Sequence, residues 1–436
     1  MTMYQTVESI EVSCWGEKVG GLARDPNSGY YAFEYYPDFQ KAGVELAPLS
    51  TPLQTQGAQV YPHLPEKTYH RLPSFIADSL PDDFGNNLVN AWMTRQGIRP
   101  DQITALDRLA YVGKRGMGAL EFRPARHAEP TQPSVLEVSQ LVEVARKAIS
   151  VDMGKESPAA IDAELAQLIS VGTSAGGARA KAVVGYDPQT ERFVSGQFKI
   201  GEGYEHWLIK FDVSSLHDQG LSQEYGRIEY AYYLMARACG ITMEPSRLYE
   251  KAGRAHFMTK RFDREDDNTR HHIQTLCAMA QMDYHALRVH DYSQLFMTAR
   301  TLGLPYEASD ELFRRMVFNV ALSNRDDHTK NFAFLLKRGG VWELAPAYDV
   351  THAHGEGPGA WTTQHIMGVD GAFDDITRDD VLRVGRRFHV EDPGRMIDDI
   401  VEVALSWHEF AQKAGLSTAE QDRVGRDIRS CSDLLK

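Results

Sequence analysis

The spacing of apolar residues changes along the chain and separates a strand-rich first part from a helical last part. Short apolar runs at residues 10–12 and 30–33, punctuated by glycine and proline, predict strands near the N-terminus. The runs KAVVGYDP, ERFVSGQFKI and EHWLIKF predict further strands joined by turns. From about residue 276 the pattern is mainly helical, apart from one hairpin predicted at 332–336 and 341–344. These elements predict an α+β body with two lobes.

Helical spacing of apolar residues also occurs before this last region. It predicts helices at residues 86–96, 103–111, 135–149, 159–169 and 223–239. Gly240 suits the position just after the last of these helices. A proline-rich segment, RPARHAEPTQPS at residues 123–134, is the best candidate for a linker. We therefore expect three parts: a β-rich part at 1–125, a mixed part at 126–270 and a helical part at 271–436.

The composition limits the classes of function. The 436 residues carry a formal net charge of −13, which argues against a surface built mainly to bind nucleic acid. The sequence has neither an apolar run of membrane-spanning length nor the pattern of a signal peptide, so we expect a cytoplasmic protein that does not engage a membrane. The cysteines lack C-x-x-C spacing, and we expect reduced, mostly buried thiols at Cys14, Cys239, Cys277 and Cys431.

One stretch, SNRDDHTKNFAF at residues 323–334, holds more chemically active side chains than a surface loop needs. Asp326 and Asn331 have the D-x-x-x-x-N spacing of the base and the metal ligand in a kinase catalytic loop. The predicted hairpin that follows returns the chain to its start, which sets Asp349 beside Asn331. Amide and carboxylate oxygens suit Mg²⁺, so Asn331 and Asp349 are predicted metal ligands.

Neighbouring side chains in this loop suit phosphoryl transfer. Lys330 can neutralise charge that develops on a transferred phosphoryl group, and His328 can orient Asp326. Asp327 stands next to Asp326, however, and only the spacing to Asn331 assigns the role of base to the first aspartate.

Two upstream segments can bind the phosphates of a nucleotide. The run GTSAGGARAK at residues 172–181 can present successive amide N–H groups to phosphate oxygens. In HWLIKF, alternation puts Lys210 on the face opposite the apolar residues, as in the strand that carries a kinase's phosphate lysine. Glu229, on the next predicted helix, is a candidate ion-pair partner for Lys210. The order of these segments along the chain is that of a protein-kinase-like fold.

Together these motifs resemble the HipA family of bacterial serine/threonine kinases, the toxins of type II toxin–antitoxin modules. The resemblance rests on SAGGARAK, WLIKF, KRFDR, DDHTKNFAF and PAYDV, and the stretches GGLARDPNSGYYAFEY and LPDDFGNNL are similar to the family's N-terminal domain. It spans nearly the whole chain. It implies a nucleotide-binding role for the part at 126–270, a catalytic role for the part at 271–436, and transfer of the ATP γ-phosphate to a protein serine or threonine with Mg²⁺.

The resemblance also implies roles for individual residues. The phosphates would be held by Gly176, Gly177, Ala178, Arg179, Ala180, Lys181 and Lys210, and the adenine by the backbone of Lys260, Arg261 and Phe262. In the catalytic part the implied base is Asp326, and the implied contacts to nucleotide and metal are His328, Lys330, Asn331, Tyr348 and Asp349.

The resemblance further implies regulation and partners. Ser174 in the glycine-rich loop is the implied site of autophosphorylation, and Ser170 and Thr173 lie close enough to be alternatives. A phosphate there would repel the phosphates of a nucleotide. The implied partner is a helix-turn-helix antitoxin of the HipB type, with DNA bound only through that complex, and the implied substrates include aminoacyl-tRNA synthetases.

Two other functions remain open from the sequence. A metal-dependent phosphohydrolase could use Asp326, Asp327, His328 and Asp349, because carboxylate and histidine clusters hold two-metal sites. A catalytically silent member of a repressor complex is the other alternative. The remaining histidines give no ligand pattern: we expect His352, His354 and His365 in a loop near the cleft, and His271 and His272 on the surface.

Overall fold

The computed structural model describes residues 6–95, 97–125, 135–137, 141, 179–213, 224–251, 253–355 and 361–436. Contacts divide the chain into two compact units, each drawn from separate stretches of sequence. Unit 1 comprises Met1–Gln223, Tyr249–Gln274 and Leu335–Val341, and unit 2 comprises Glu224–Leu248, Thr275–Phe334 and Trp342–Lys436. The division into parts at 1–125, 126–270 and 271–436 therefore stays a prediction.

The first sheet of unit 1 has four strands in the order β3-β2-β1-β4, and neighbouring strands are antiparallel. The strands are β1 (Ser9–Cys14), β2 (Glu17–Arg24), β3 (Tyr31–Tyr35) and β4 (Leu120–Arg123). Five helices accompany it: α1 (Pro37–Ala42), α2 (Glu66–Tyr69), α3 (Ser74–Ala77), α4 (Asp83–Arg95) and α5 (Ala105–Val112). A capping box begins α5, because Thr104 and Asp107 each bond the other's backbone N–H.

The second sheet of unit 1 has six strands in the order β5-β7-β6-β8-β10-β9. They are β5 (Val135–Leu136), β6 (Lys181–Asp187), β7 (Arg192–Ser195), β8 (Glu205–Lys210), β9 (Ser246–Lys251) and β10 (Arg254–Lys260). One face of β6 and β8 is buried in an apolar core with residues of α4, and the core residues on these strands include Ala182, Val184, Trp207 and Ile209. The predicted alternation of HWLIKF is confirmed.

Several predictions about unit 1 meet a different outcome. The predicted helix at 135–149 is wrong at its start, because Val135–Leu136 is a strand that pairs with β7. Of the remaining positions of that helix, the structure describes only residues 137 and 141. The predicted helix at 159–169 and residues 126–134 of the linker also lie outside the described residues. His271 and His272 are buried, not on the surface. His272 Nε2 lies 3.0 Å from the Leu46 carbonyl oxygen, a contact across 226 positions of sequence.

The part of unit 2 that the structure describes is mainly helical. Its helices are α6 (Tyr225–Ala238), α7 (Leu276–Met279), α8 (Tyr292–Thr301), α9 (Glu307–Ala321), α10 (Arg378–Arg387), α11 (Pro393–Leu405), α12 (Trp407–Lys413) and α13 (Thr418–Asp433). The remaining strands in the described part of the chain are β11 (His272–Thr275), β12 (His290–Asp291), β13 (Ala333–Leu336), β14 (Trp342–Leu344) and β15 (Met367–Gly368). Helix α9 packs against α11 and α13, and α6 packs against α12.

Local signals read from the sequence explain several element ends in unit 2. Helix α6 ends before Gly240, whose φ of 74° is the left-handed conformation that glycine adopts freely. The strands β13 and β14 form the predicted hairpin, within one residue of the predicted bounds. The thiols are free, and three of the four are buried. Among the described residues, no helix is long and apolar enough to cross a membrane.

Candidate active site

The loop after α9 in unit 2 carries the predicted catalytic residues, and its backbone is held at several points. The Asn331 Nδ2 donates to the Asp326 carbonyl oxygen at 2.8 Å, which closes the turn between them. A single 3-10 turn covers Thr329–Asn331, and the buried Thr329 hydroxyl donates to the Met282 carbonyl oxygen at 2.7 Å. The five-residue spacing of Asp326 and Asn331 thus corresponds to one tightly closed turn.

Asp327 is buried and its carboxylate is saturated with hydrogen bonds. The Tyr292 hydroxyl donates to Oδ2 at 2.9 Å, and His365 Nδ1 lies 2.9 Å from the same oxygen. The backbone N–H of Ile366 donates to Oδ1 at 2.8 Å, and that of Met367 lies at 3.4 Å. A carboxylate with this many partners serves the fold. It holds the loop to the segment before β15 and to the start of α8.

Asp326 is more exposed than Asp327, and its carboxylate has fewer hydrogen bonds. Its side chain is 42% exposed. The Trp361 indole N–H donates to Oδ1 at 2.8 Å, and His328 Nε2 lies 3.8 Å from the same oxygen. Partial burial raises the pKa of Asp326, and the charge of Asp349 adds to this, while His328 and the Trp361 N–H oppose the rise. An accessible carboxylate with a raised pKa can accept a proton, so the structure supports the first aspartate as the base.

The hairpin brings the chain back to the loop as predicted. The Ala345 N–H donates to the Ala333 carbonyl oxygen at 3.0 Å. The Tyr348 hydroxyl then donates to the Lys330 carbonyl oxygen at 2.6 Å. Asp349 follows in the left-handed conformation, with a φ of 56°, which aspartate tolerates better than most residues. Asn331, Tyr348 and Asp349 line one small cavity within unit 2.

These side chains fit a magnesium ion. Asn331 uses its amide N–H₂ within the loop, so the group it can offer a cation is its oxygen. Asp349 adds a carboxylate close enough to influence the titration of Asp326. One or two such protein oxygens, completed by water and phosphate oxygens, form the environment in which proteins bind Mg²⁺.

Lys330 and His328 belong to the same loop and lie on an aromatic surface. The Lys330 ammonium is 4.6 Å from the centre of the Tyr284 ring, and the His328 ring is 5.4 Å from it. Both residues are partly exposed. A cation on an aromatic face keeps its charge and is oriented by the ring. Lys330 can therefore face an incoming phosphoryl group.

Unit 1 contains a second set of predicted residues, on strands β6 and β8. Lys181 and Lys210 are directly paired in the antiparallel register, so their side chains leave the same face of the sheet. Both are buried. Lys181 Nζ lies 3.0 Å from Asp82 Oδ2, and Lys210 Nζ lies 5.9 Å from the centre of the Phe257 ring. The two ammonium groups concentrate positive charge on this face, and Asp82 balances the charge of Lys181.

The other predicted nucleotide residues of unit 1 take mixed positions. Ala180 is buried, and its carbonyl oxygen accepts from the Phe211 N–H at 2.9 Å, whereas Arg179 is partly buried. The Arg261 N–H donates to the His206 carbonyl oxygen at 2.9 Å, so this N–H is already used within the protein. Lys260 Nζ lies 3.3 Å from Glu205 Oε1, and the Phe262 side chain is partly buried.

Some predicted residues cannot be placed by the structure. The glycine-rich loop lies outside the described residues from its start to Ala178, and this part includes Thr173, Ser174, Gly176 and Gly177. Ser170, just before the loop, also lies outside the described residues. Glu229 is buried in α6. Its pairing with Lys210 joins residues of different units and stays a prediction.

Sequence reasoning missed three residues that complete these groups. Trp361 and His365 bond the two adjacent aspartates of the loop. Asp82 neutralises Lys181. Asp82 belongs to LPDDFGNNL, which contains two adjacent acids and two amides, and this density was a signal of a buried polar role. His365 stood out only as one of several histidines, and it does not join His352 and His354 in a single cluster.

Comparison with known proteins gives matches over nearly the whole chain. The family described as HipA N-terminal domain matches residues 10–123, and the HipA-like C-terminal domain matches residues 173–431. The serine/threonine-protein kinase toxin HipA of Shewanella oneidensis is 22% identical over 389 residues, which cover 84% of this chain and 79% of the toxin. A solved complex of Shewanella oneidensis HipA with HipB and operator DNA contains a chain that matches with a TM-score of 0.68 and 17% identity. That match covers 97% of this chain and 95% of the other, and it shows a shared α+β fold.

Proposed function

The chain belongs to the HipA family, and we propose that it is an ATP-dependent protein serine/threonine kinase whose base is Asp326. One observation carries the proposal. Of two adjacent aspartates, Asp327 is fully bonded within the fold, whereas Asp326 is accessible and lies near Asn331 and Asp349. A base beside two oxygen ligands for Mg²⁺ is the arrangement that phosphoryl transfer from ATP requires.

The residues divide the work of the reaction. The Asp326 carboxylate takes the proton of a serine or threonine hydroxyl, whose oxygen forms a bond to the γ-phosphorus while the bond to ADP breaks. Lys330 balances the negative charge on the phosphoryl group in transfer. Asn331 and Asp349 hold Mg²⁺, which neutralises the phosphate oxygens when it is bound. Lys181 and Lys210 bind the phosphates of ATP, and residues 260–262 border its adenine.

Autophosphorylation and partners belong to the same proposal. Transfer to Ser174 in the glycine-rich loop would place a doubly charged group where ATP phosphates bind and so would switch the kinase off. Because the related toxin was solved with HipB and operator DNA, we propose a helix-turn-helix antitoxin of that type as partner, with DNA bound through the complex. An aminoacyl-tRNA synthetase is the first substrate to assay.

Incubation of the full chain with γ-labelled ATP and Mg²⁺ tests the proposal. We expect label on the protein, with mass spectrometry mapping it to Ser174. Asp326→Asn should lower the labelling rate by about 10² to 10⁴, because a general base contributes that much. It should change the free energy of unfolding by no more than about 0.5 kcal/mol, as is usual for an accessible side chain.

The matched control is Asp422→Asn, another exposed aspartate of unit 2, which should label at the wild-type rate. Cleavage of phosphodiesters by an unlabelled protein would favour a metal-dependent phosphohydrolase. Binding of an antitoxin without any labelling would favour a silent co-repressor. Equal labelling of Asp326→Asn and wild type would move the base to another residue.

A further inference from the structure

A second group of metal-binding side chains lies in unit 2, apart from Asn331 and Asp349. It consists of His352, His354 and Asp427, and one ligand atom from each lies within 4.8 Å of the other two. His352 is buried, with 4% of its side chain exposed, and the other two side chains are about a quarter exposed. The three residues are therefore shielded from bulk water and yet reachable by a small ion.

The backbone around Ala353 explains why two histidines point the same way. Ala353 forms a parallel bridge to Asn324: the Arg325 N–H donates to its carbonyl oxygen at 3.0 Å, and its own N–H donates to the Ser323 carbonyl oxygen at 3.2 Å. In an extended segment, residues on either side of a bridged residue project to the same face. The rings of His352 and His354 accordingly lie 6.2 Å apart and nearly parallel, at 12°.

The third ligand comes from a distant part of the chain and is fixed by helix packing. Asp427 lies on α13, whose buried face includes Val424 and Ile428 on either side of it. Packing of this face fixes the position of the helix along its axis and its rotation about that axis. A rigid element therefore holds Asp427 next to the two histidines. Sites built on rigid elements position their ligands more accurately than sites built on loops alone.

The distances between ligand atoms suit a tetrahedral ion. Bonds of about 2.0 to 2.1 Å at tetrahedral angles separate two ligand atoms by about 3.4 Å. Here His352 Nε2 is 2.9 Å and His354 Nδ1 is 3.9 Å from Asp427 Oδ2, values that lie on either side of that separation. Shifts of about half an ångström would bring each of these two pairs to the tetrahedral separation. A simple ion pair with Asp427 would need only one of the two histidines.

The donor set selects the class of ion. Two imidazole nitrogens with one carboxylate favour Zn²⁺ and its first-row neighbours, whereas Mg²⁺ prefers oxygen ligands. We propose that His352, His354 and Asp427 bind one divalent transition-metal ion of the zinc class, with water completing the coordination. This site is chemically distinct from the oxygen ligands Asn331 and Asp349, and the proposal does not depend on the kinase activity.

The position of the site gives it a structural consequence. The His354 Nδ1 lies 3.0 Å from the hydroxyl of Ser323, which begins the stretch that contains Asp326, and a metal ion at Nδ1 would replace this hydrogen bond. An ion at this point would join three separate pieces of unit 2: the segment after Asp349, helix α13 and, through the bridge at Ala353, the start of the loop. Bound metal would therefore rigidify the base of the predicted catalytic loop.

Metal binding by the tag-free, full-length chain tests the proposal. We expect one Zn²⁺ per chain by equilibrium dialysis, measured with a large excess of Mg²⁺ present, and a visible absorption band of tetrahedral Co²⁺ when cobalt replaces zinc. His354→Asn and Asp427→Asn should each weaken Zn²⁺ binding at least tenfold, since even indirect partners of a metal site contribute 10-fold to 100-fold. His408→Asn, an exposed histidine of the same unit, is the matched control and should bind like wild type.

X-ray absorption of the zinc-loaded wild-type protein gives a measurement that needs no variant. Two imidazoles with only nitrogen and oxygen donors are expected, and a sulfur ligand or a single imidazole would overturn the assignment. Melting curves without metal establish that the variants are folded before their binding is compared. Failure of Zn²⁺ to bind, or binding that His354→Asn and Asp427→Asn leave unchanged, would reduce the cluster to a hydrogen-bonded ion pair.

Discussion

Two turns of this protein each bury one aspartate, and the two carboxylates are stabilised in opposite ways. Asp263 in the KRFDR turn of unit 1 is bonded by cations, whereas Asp327 in the RDDHTKN loop of unit 2 is bonded by neutral or titratable donors. Both turns are the segments in which the sequence motifs predict function. In each, the best-buried aspartate supports the fold, and the residues predicted to contact the nucleotide or the substrate are its neighbours.

The unit 1 turn is an ionic cluster. Arg261 donates to both oxygens of Asp263 at 2.8 and 2.7 Å, Arg264 donates to Oδ2 at 2.6 Å, and the Gly118 N–H donates to the same oxygen at 2.8 Å. Burial acts to raise the pKa of Asp263, but the two guanidiniums outweigh it and hold the pKa far below its usual range. The aspartate stays charged because its partners cannot lose their protons.

The unit 2 loop is held without a permanent cation among these contacts, and this difference has a functional meaning. A guanidinium beside Asp327 would also attract Asp326 and lower its basicity. Neutral donors fix the backbone and leave the neighbouring carboxylate free to exchange a proton. The comparison therefore indicates that unit 1 uses charge for rigidity, while the contacts that hold the Asp327 carboxylate in unit 2 place no guanidinium beside the predicted base.

The largest loss of stability is expected when the buried aspartate of unit 1, Asp263, is replaced. Asp263→Asn leaves two buried guanidiniums without their shared counter-ion, and loss of one partner of a buried ion pair costs about 3 to 5 kcal/mol. Chemical denaturation of the full chain measures this change in the free energy of unfolding. Asp267→Asn, which changes an exposed acid just after this turn, is the control and should stay within about 0.5 kcal/mol of wild type. A loss below about 1 kcal/mol for Asp263→Asn would contradict the ionic account.

Acid should weaken unit 1 through its buried histidines. Burial lowers the pKa of His256 to about 4, and the charge of Arg254 contributes. The His256 Nδ1 accepts the Asp212 N–H at 3.0 Å, so it must be unprotonated in the fold. Between about pH 6.5 and 4 the unfolded chain binds a proton that the folded chain does not bind. The free energy of unfolding therefore decreases as the pH is lowered, by about 3 kcal/mol in total from this group.

His256→Asn isolates the contribution of His256 to the pH dependence of stability from that of other titrating groups. The asparagine side-chain oxygen can accept the same N–H and does not titrate in this pH range. The slope of unfolding free energy against pH should fall by up to about 1.4 kcal/mol per pH unit between pH 4 and 6.5. His389→Asn, an exposed histidine, should leave the slope nearly unchanged. An identical slope in wild type and His256→Asn would show that this histidine is not buried in its neutral form.

A smaller loss of stability is expected when the buried aspartate of unit 2, Asp327, is replaced. Asp327→Asn turns Oδ2 into a donor facing the Tyr292 hydroxyl and His365, and an unsatisfied buried polar group costs about 1 to 3 kcal/mol. No buried cation is stranded among its contacts, so the loss should be less than for Asp263→Asn. Labelling by γ-labelled ATP, measured well below the melting temperature, should also fall because the loop shifts. Normal labelling with reduced stability would mean that the Asp326 position does not depend on Asp327.

The smallest effect concerns the one hydrogen bond that the described residues donate to the carboxylate of the predicted base. Trp361→Phe removes the N–H that bonds Asp326, a hydrogen bond to a charged group that contributes about 1.5 kcal/mol to the free energy of unfolding. That donor lowers the pKa of Asp326, so its loss raises the pKa further. A base acts above its pKa, and the acid limb of the pH–rate profile should therefore move to higher pH. A lower rate with an unmoved acid limb would assign Trp361 to packing alone.

Much of the fold and of the site could be predicted because the signals are local. The apolar alternation of HWLIKF, the glycine after α6 and the turn between β13 and β14 depend on residues within a few positions of one another. The helix at 135–149 was wrong at its start for the opposite reason. Val135–Leu136 pairs with a strand more than fifty residues later in the chain, and this tertiary pairing overrides a weak local preference for helix.

The sequence by itself determined which residues can do chemistry: the D-x-x-x-x-N turn, the lysine strand, the returning hairpin and their order along the chain. Only the tertiary structure decided which of Asp326 and Asp327 is available. The two differ in their partners, and those of Asp327 come from Tyr292 and from residues 365–367. The sequence cannot show such contacts, because the direction of a side chain in a loop depends on donors that folding brings from dozens of residues away.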